Sequence, residues 1–454
     1  MFWNGVSDMR KQVFYLSKLL QNQPTDPYVR GAFFKSLKMY NKERKVKARQ
    51  FKRNMLNKLD EYRDKNPKGY WQLLKSFRDC EDVNNIELAD WELHFKGLNK
   101  SNMELNQSIV NMLAEEEKTK VFNELNFRIT EKEIIKAIKN LKNGKAVGLD
   151  RISNEMIKYS QHVMLPCLVK LFNSILLSGS YPDSWCLGYI VPLHKSGCTH
   201  DTSNYRGITI FSCLAKVFNI VLTKRLDEFV KKHEIIDVKQ IGFKEGFRTS
   251  DHMFVLKSLI DKYTKKGKKL FACFIDFRRA FDSIDHILLM YKLQKAGIKG
   301  NLYDVIKSMY IKKGVDLCVK AKNLVSGKFK SNVGVRQGDP TSPVLFKLFI
   351  NDISKYLGHA NHDIPNLNDM KLSHLLYADD MILLSLSKEK LQNMVNGVAL
   401  FCKDNGISVN TNKSKVLVFE KKVSSNGIEI MYNGSKLENV SQYKYLGLMF
   451  HKSG

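Results

Sequence analysis

Two adjacent aspartates, Asp379 and Asp380, sit in the middle of an apolar run, LLYADDMILLS, from Leu375 to Ser385. Ionised carboxylates are seldom left in apolar surroundings without compensation. A third, Asp276, lies near the end of a short apolar and aromatic stretch, LFACFIDF, that begins at Leu270. Brought together, three carboxylates repel and cannot all stay ionised without a counter-charge. Hard divalent cations such as Mg²⁺ supply it, taking oxygen ligands from one or two carboxylates and from substrate phosphates. Two such ions about 3.5–4 Å apart clamp the attacking and leaving oxygens of an in-line phosphoryl transfer. Metal-assisted phosphoryl transfer is therefore the chemistry this pattern fits. A lone Asp-Asp pair is weak evidence, since surface pairs are common; the apolar flanks single this one out.

The elements that must position these residues follow from the same residues. LLYADDMILLS has two apolar halves around its acids, which strands flanking a tight turn explain. The expectation is a β-hairpin with Ala378, Asp379 and Asp380 near its tip. A buried helix would need a polar face for the acids, and the segment has none. LFACFIDF reads as a strand ended by Arg278 and Arg279. Laid beside the hairpin in one sheet, it brings Asp276 to the acidic pair. Upstream, Thr130 and Glu133 form a capping box for a short helix whose apolar stripe is Ile134, Ile135, Ile138 and Leu141. Further helices are expected over Leu165 to Leu177 and Leu214 to Phe229, with a strand from Gly188 in GYIVPLHKSG.

The chain has 454 residues, enough for two to four domains, and an ordinary hydrophobic fraction of 43%. Its charge is not ordinary: 74 Lys and Arg against 46 Asp and Glu give a formal net charge of +28. Such an excess points to a polyanionic partner, nucleic acid or an anionic membrane surface; the alternative is a solubilising surface. From Lys35 to Arg78 there are fifteen basic residues against four acidic ones, with Tyr40, Phe51, Tyr62, Tyr70, Trp71 and Phe77 among them. Helix formers dominate until NPKG, Asn66 to Gly69, which is read as a turn. Such a stretch can hold a nucleic-acid strand by phosphate contacts and stacking, or bury its aromatics on an inward face. No run of eighteen apolar residues predicts a transmembrane helix. The N-terminus lacks the order of a signal peptide. Eight dispersed cysteines form no CxxC pair, which suggests neither a zinc site nor a disulfide framework. A reducing compartment, nucleus and cytoplasm, is expected.

YADD in an apolar hairpin resembles the catalytic core of reverse transcriptases. The surrounding segments resemble the non-LTR, LINE-type retrotransposon branch, in the family's order and over most of the chain. FIDFRRAFDSIDH from Phe274 resembles the strand with the first catalytic aspartate. GVRQGDPTSPVLFKLFINDI from Gly334 is similar to the helix-opening segment that positions nucleotide and template. VPLHKSGCTHDTSNYRGITI from Val191 resembles the fingers segment, and QIGFKEGFRTSDH from Gln240 the segment after it. LKNGKAVGLDRISNEMIK is similar to the branch's extension before the fingers, and NGISVNTNKSKVLVF and YKYLGLMF to its last palm motifs.

The resemblance implies an α+β right-hand polymerase: a basic, mostly helical N-terminal extension over residues 1–124, fingers with their extension over 125–269, and palm over 270–454. It implies an RNA-directed DNA polymerase that adds dNTPs to a DNA primer or target on an RNA template. Asp276, Asp379 and Asp380 would hold two Mg²⁺ ions, with Mn²⁺ as a substitute and the Phe277 main-chain carbonyl as an extra ligand. Phe281 would lie under the nucleotide sugar and exclude a 2′-hydroxyl; the alternative is a core aromatic. Lys195 and Arg206 would reach the triphosphate, Arg through its planar fork. Gln337 and Gly338 would lie beside base and template, and Lys413 would protonate pyrophosphate. Tyr443, Leu446 and Gly447 would belong to the hairpin that grips the primer end.

Departures from the family pattern carry expectations of their own. Gly207 follows Arg206 where the family has proline, which predicts a less rigid loop. The chain ends after the primer grip, with no sequence for a thumb, no endonuclease-like segment before and no Cys/His cluster after. It reads as a fragment of a longer element protein, a truncated copy or an incomplete gene model. The alternatives are a group II intron-type maturase with the same palm, and an inactive nucleic-acid-binding remnant.

Overall fold

The computed structural model describes residues 4–76, 86–99, 123–195, 197–312, 314–322, 324–358, 363–421 and 428–453. These fall into two units, Met1–Asn84 and Asn85–Gly454.

The first unit is helical. Asp26 opens its long helix, Pro27–Lys65, by accepting from the Tyr28 and Val29 N–H groups, with proline at the first helical position. The helix Asn4–Asn22 packs along it. The turn expected at NPKG contracts to one residue. Asn66 donates its N–H to the Tyr62 carbonyl, ending the long helix, and its side chain accepts from Gly69 N–H at 2.9 Å, starting the next. Pro67 and Gly69 are therefore inside the helix Pro67–Ser76, because an asparagine cap lets the helices abut. Of the aromatics in this basic stretch, Tyr40, Tyr62 and Tyr70 are half-buried while Phe51 and Trp71 are exposed; Phe77 lies outside the described residues.

In the larger unit the capping box forms as expected. The Thr130 N–H donates to Glu133, and the helix Glu131–Lys139 follows. The same carboxylate is gripped by Arg225 from the helix Cys213–Lys232, at 2.7 and 3.0 Å. Ile134, Ala137, Ile138 and Leu141 are buried, whereas Ile135 is only half-buried. The helix expected from Leu165 runs from Gln161 to Ser178. By length and composition it could cross a membrane. Here Leu168, Phe172, Ile175 and Leu176 are buried in the core, and it packs on the helices Glu131–Lys139 and Asn301–Lys307.

Among the described residues, one sheet has five strands. Tyr205–Ile210 pairs antiparallel with Leu187–His194, which pairs in parallel with Val315–Ala321; Leu324–Val325 and Phe329–Ser331 complete it. Gly207 lies inside the first of these strands, opposite Pro192, rather than in a loop. A Cβ there would stand 2.7 Å from the Phe95 ring and 2.8 Å from Ile190. Glycine therefore makes room for Phe95, from the helix Leu88–Leu98, and the ladder supplies the rigidity that a loop proline would have given.

A second large sheet has six strands and is centred on Leu270–Arg278. Asp380–Ser385 flanks this strand on one side and Lys415–Phe419 on the other, both antiparallel. His374–Tyr377 extends the sheet beyond Asp380–Ser385. Period two explains the central strand's almost unbroken apolar run. Cys273, Ile275 and Phe277 enter one core cluster and Leu270, Ala272 and Phe274 the other. Both faces are covered, so neither can be polar until the strand reaches its end.

Candidate active site

Asp276 and Asp380 are Cα partners across the antiparallel ladder. Parity puts both on the face that also carries Phe274 and Ile382. Directly opposed side chains on one face have Cβ atoms about 4.5–5.5 Å apart, and like charges so placed are destabilising. Asp379 follows in the turn, between the two hairpin strands. The sheet thus brings the three expected carboxylates together.

The surroundings of the adjacent pair, Asp379 and Asp380, discourage its ionisation. Burial first, then the charges of Asp379 and Asp276, push the Asp380 carboxyl up to about 6, although its side chain still reaches solvent at the rim. Burial also raises Asp379, with Asp276 adding to the effect and Arg206 opposing it. The ion pairs of the larger unit form elsewhere, among them Arg225–Glu133, Lys292–Asp352 and Lys347–Asp227. Among the described residues none involves the three aspartates, and no group of three His, Cys, Asp or Glu side chains is drawn up around one point as metal ligands. Hard oxygen donors held at one sheet end by backbone register, with Arg206 offsetting part of the rise at Asp379, are a donor set that suits Mg²⁺.

The hairpin tip is held from below. Ala378 takes φ +58°, an uncommon conformation for a residue with a Cβ. The buried Gln240 side chain brackets it: Oε1 accepts from Ala378 N–H at 3.3 Å, and Nε2 donates to the Ala378 carbonyl at 3.4 Å. The same Oε1 accepts from Gly242 N–H at 2.9 Å. A Cβ on Gly242 would fall 2.1 Å from the Ala378 nitrogen, so only glycine fits beneath the tip. From the other side, Ser414 Oγ accepts from Asp276 N–H at 3.0 Å and Asn410 N–H donates to the Asp276 carbonyl at 2.7 Å.

A cleft of about 830 Å³ opens beside the carboxylates. Asp276, Phe277, Asp379, Lys195, Arg206, Phe281, Gln337 and Lys413 line it, together with Arg278 and Arg279. Arg206 Nε donates to Gln337 Oε1 at 3.0 Å, and Gln337 Nε2 donates to Asp282. Burial raises the Asp282 carboxyl, while the Gln337 hydrogen bond and Arg206, Arg279 and Lys195 work against that rise. The preceding residue, Arg336, is buried with its guanidinium 4.3 Å from the Phe211 ring and 5.3 Å from that of Tyr181.

The remaining expected residues sit at or near this cleft. Phe281 is half-buried, stacked on Phe346 at 4.1 Å and 17° and edge-on to Phe243. It is thus a packed aromatic that also lines the cleft. Gly338 has φ +101°, and a Cβ there would meet the Thr209 carbonyl at 2.9 Å, so its close approach is to the chain's own strand. Leu446 and Gly447 make the turn between the strands Gln442–Tyr445 and Leu448–His451. Tyr443 stacks on Phe274 at 4.2 Å, and burial, with Asp276 and Asp380 adding, pushes its hydroxyl up to about 12. Asp380, Gly338, Tyr443, Leu446 and Gly447 are not among the cleft-lining residues.

Residues 193–450 match the family described as reverse transcriptase, RNA-dependent DNA polymerase. The chain belongs to the reverse transcriptase family. Among similar proteins is the probable RNA-directed DNA polymerase from transposon BS of Drosophila melanogaster, 29% identical over 332 residues, or 70% of this chain and 35% of that protein. The polymerase from mobile element jockey of the same species is 25% identical over the same shares of the two chains. The Pol polyprotein of retrotransposable element R2 from Nasonia vitripennis is 26% identical over 63% of this chain and 28% of its own. The chain thus spans about a third of the length of the first two relatives.

In this reverse transcriptase domain the sequence assigns no site role to Gln240, Gly242 or Asp282, and marks Arg279 only as the end of a strand. Asp282 and Arg279 stand inside the quoted FIDFRRAFDSIDH, where a second acid six residues after Asp276 was the available signal. Gln240 and Gly242 open QIGFKEG, and nothing local marks them as supports for a distant turn.

Proposed function

We propose that this chain carries the catalytic domain of a non-LTR retrotransposon's RNA-directed DNA polymerase, extending a DNA 3′-end with dNTPs on an RNA template. The observation that carries the reading is the register pairing of Asp276 with Asp380, with Asp379 in the turn between, beside a cleft lined by cations. In this reading the six-stranded sheet is the palm and the five-stranded sheet belongs to the fingers of a right-hand polymerase.

Asp276, Asp379 and Asp380 would hold Mg²⁺, or Mn²⁺ in its place, with the Phe277 carbonyl as a further ligand. When bound, the metal lowers the pKa of the attacking 3′-hydroxyl and offsets the charge of the leaving pyrophosphate. Lys195 and Arg206 hold the triphosphate, and the Asp282–Gln337–Arg206 chain of hydrogen bonds aims the guanidinium into the cleft. Lys413, exposed at the cleft wall, delivers a proton to pyrophosphate. Phe281, clamped by Phe346, walls the sugar site against a 2′-hydroxyl. Gln337 and Gly338 face base and template, and Tyr443, Leu446 and Gly447 hold the primer end.

Primer extension tests the reading, with a DNA primer on an RNA template, Mg²⁺ and dNTPs. The parent chain should extend the primer. Asp379→Asn should lower extension by about a thousandfold or more, with binding of the same duplex unchanged, since a charge acting only on the reaction is lost. Comparable extension by the variant would overturn the assignment.

A further inference from the structure

The long helix Pro27–Lys65 carries a feature that catalysis leaves unused. Between Lys35 and Arg53 there are nine basic residues and one acidic residue, Glu43. Seven of the nine, Lys35, Lys38, Lys42, Lys45, Arg49, Lys52 and Arg53, recur at alternating steps of three and four until the last step of one. At about 100° per residue that spacing confines them to an arc of about 100°, one face of the helix. All seven are exposed. Glu43 falls outside the arc, and among the described residues no carboxylate pairs with any of the seven. At about 1.5 Å per residue the stripe is roughly 27 Å long.

The opposite face is different. Phe33, Leu37, Tyr40, Met55 and Tyr62 cluster there and are half-buried. The basic face therefore lacks the row of aromatics that a single strand would stack upon. Side chains standing out from one face of a helix form a ridge of cations rather than a groove. A ridge of regular charge on a rod about 10–12 Å across complements the phosphate-lined groove of a duplex. Holding seven like charges on one face with no carboxylate among them is unfavourable unless a polyanion neutralises them.

We propose that the Lys35–Arg53 face binds the phosphate backbone of a nucleic-acid duplex, independently of sequence. The proposal goes beyond the catalytic reading and does not rest on it, because its readout is binding.

The test uses the full chain and two variants of equal charge change on the same helix. One is Lys38→Gln, Lys45→Gln and Arg49→Gln, within the stripe. The other is Arg30→Gln, Arg44→Gln and Lys58→Gln, exposed positions on the other side. Affinity for an RNA–DNA hybrid is read by fluorescence anisotropy across a salt series. The stripe variant should weaken binding tenfold or more at moderate salt and reduce the slope of log K against log salt by nearly 3, at ~0.9 for each phosphate no longer neutralised. The control should change the slope by less than one. Glutamine is a good helix former, so circular dichroism should be unchanged. Should the stripe variant lose helicity, the charge-preserving set Lys38→Arg, Lys45→Arg and Arg49→Lys must still bind as the parent does. Equal effects of both variants, an equal loss for single-stranded RNA, or a loss confined to anionic vesicles would each overturn the proposal.

Discussion

Two β-hairpins end near the same carboxylates, and they solve the same problem differently. One turns at Ala378 and Asp379, the other at Leu446 and Gly447. Each first turn residue carries a side chain at positive φ, +58° for Ala378 and +48° for Leu446. A non-glycine residue in that conformation costs about 1–2 kcal/mol. In the second hairpin glycine follows at φ +96°, as a two-residue turn with both φ values positive prefers, and open space surrounds it. In the first, no glycine helps. The strain is held by another segment, through the Gln240 amide and the space left by Gly242. The turn that carries the carboxylate is fixed by tertiary structure, and the other by its own sequence.

Gly242→Ala is the sharpest way to break that difference. Its Cβ would stand 2.1 Å from a backbone nitrogen, so the tip itself must move. Overpacking of this kind costs about 1–3 kcal/mol, and displacing a reacting group by about 1 Å costs about a hundredfold in rate. We expect kcat to fall about a hundredfold with little change in duplex affinity. A variant with parental kcat would show that the tip is not held from below.

Gln240→Ala should act less strongly through the same contact. It leaves the Gly242 and Ala378 N–H groups and the Ala378 carbonyl without their partner, at about 1–3 kcal/mol for a buried group. The expected result is a lower melting temperature and a rate loss of about tenfold. Equal losses in this variant and in one altered at the second turn would erase the distinction between the hairpins.

The contrast also marks where the sequence is legible. The acidic hairpin and its partner strand can be read from two apolar halves and a period of two, because burial on both faces dictates them. Asp276 and the acidic pair can be matched for the same reason: each stands where an apolar run meets the end of its sheet. Gln240 cannot be read that way. It supports a turn 138 positions away through a buried amide, and a single contact has no period. Gly207 misleads for a similar reason. The ring that needs its space belongs to Phe95, far upstream, so the missing proline reads as slackness when it is packing. The Asp282–Gln337–Arg206 chain joins three segments and likewise leaves no local trace.

Cation and pH distinguish the hairpins next. The Asp380 carboxyl is raised to about 6 by burial and by its acidic neighbours. A carboxyl raised in the folded state binds its proton more tightly there than in the unfolded chain. Its penalty on stability is therefore absent well below pH 4 and grows as pH rises through 4 to about 6. Mg²⁺ should remove that penalty where the carboxylate is ionised. The expectation is a rise in melting temperature on adding Mg²⁺ at pH 7.5, little rise at pH 5, and none at either pH in Asp380→Asn. Gly447→Ala should keep the full Mg²⁺ response, since its turn holds no carboxylate. A response independent of pH would detach the cation from these acids.

The smallest expected effect belongs to Gly447→Ala itself. No neighbour obstructs the new Cβ, so only backbone strain of about 1–2 kcal/mol at φ +96° opposes it. That strain falls on a hairpin anchored by Tyr445 and Phe450, both buried, so the strands should stay paired while the turn relaxes. If Tyr443 and its turn hold the primer end, relaxation weakens grip without touching the carboxylates. KM for the primer duplex should then rise severalfold with kcat unchanged, the reverse of the pattern expected for Gly242→Ala. Loss of kcat at constant KM would instead mean that the second hairpin positions the reacting end as strictly as the first, and that the two turns differ in construction but not in task.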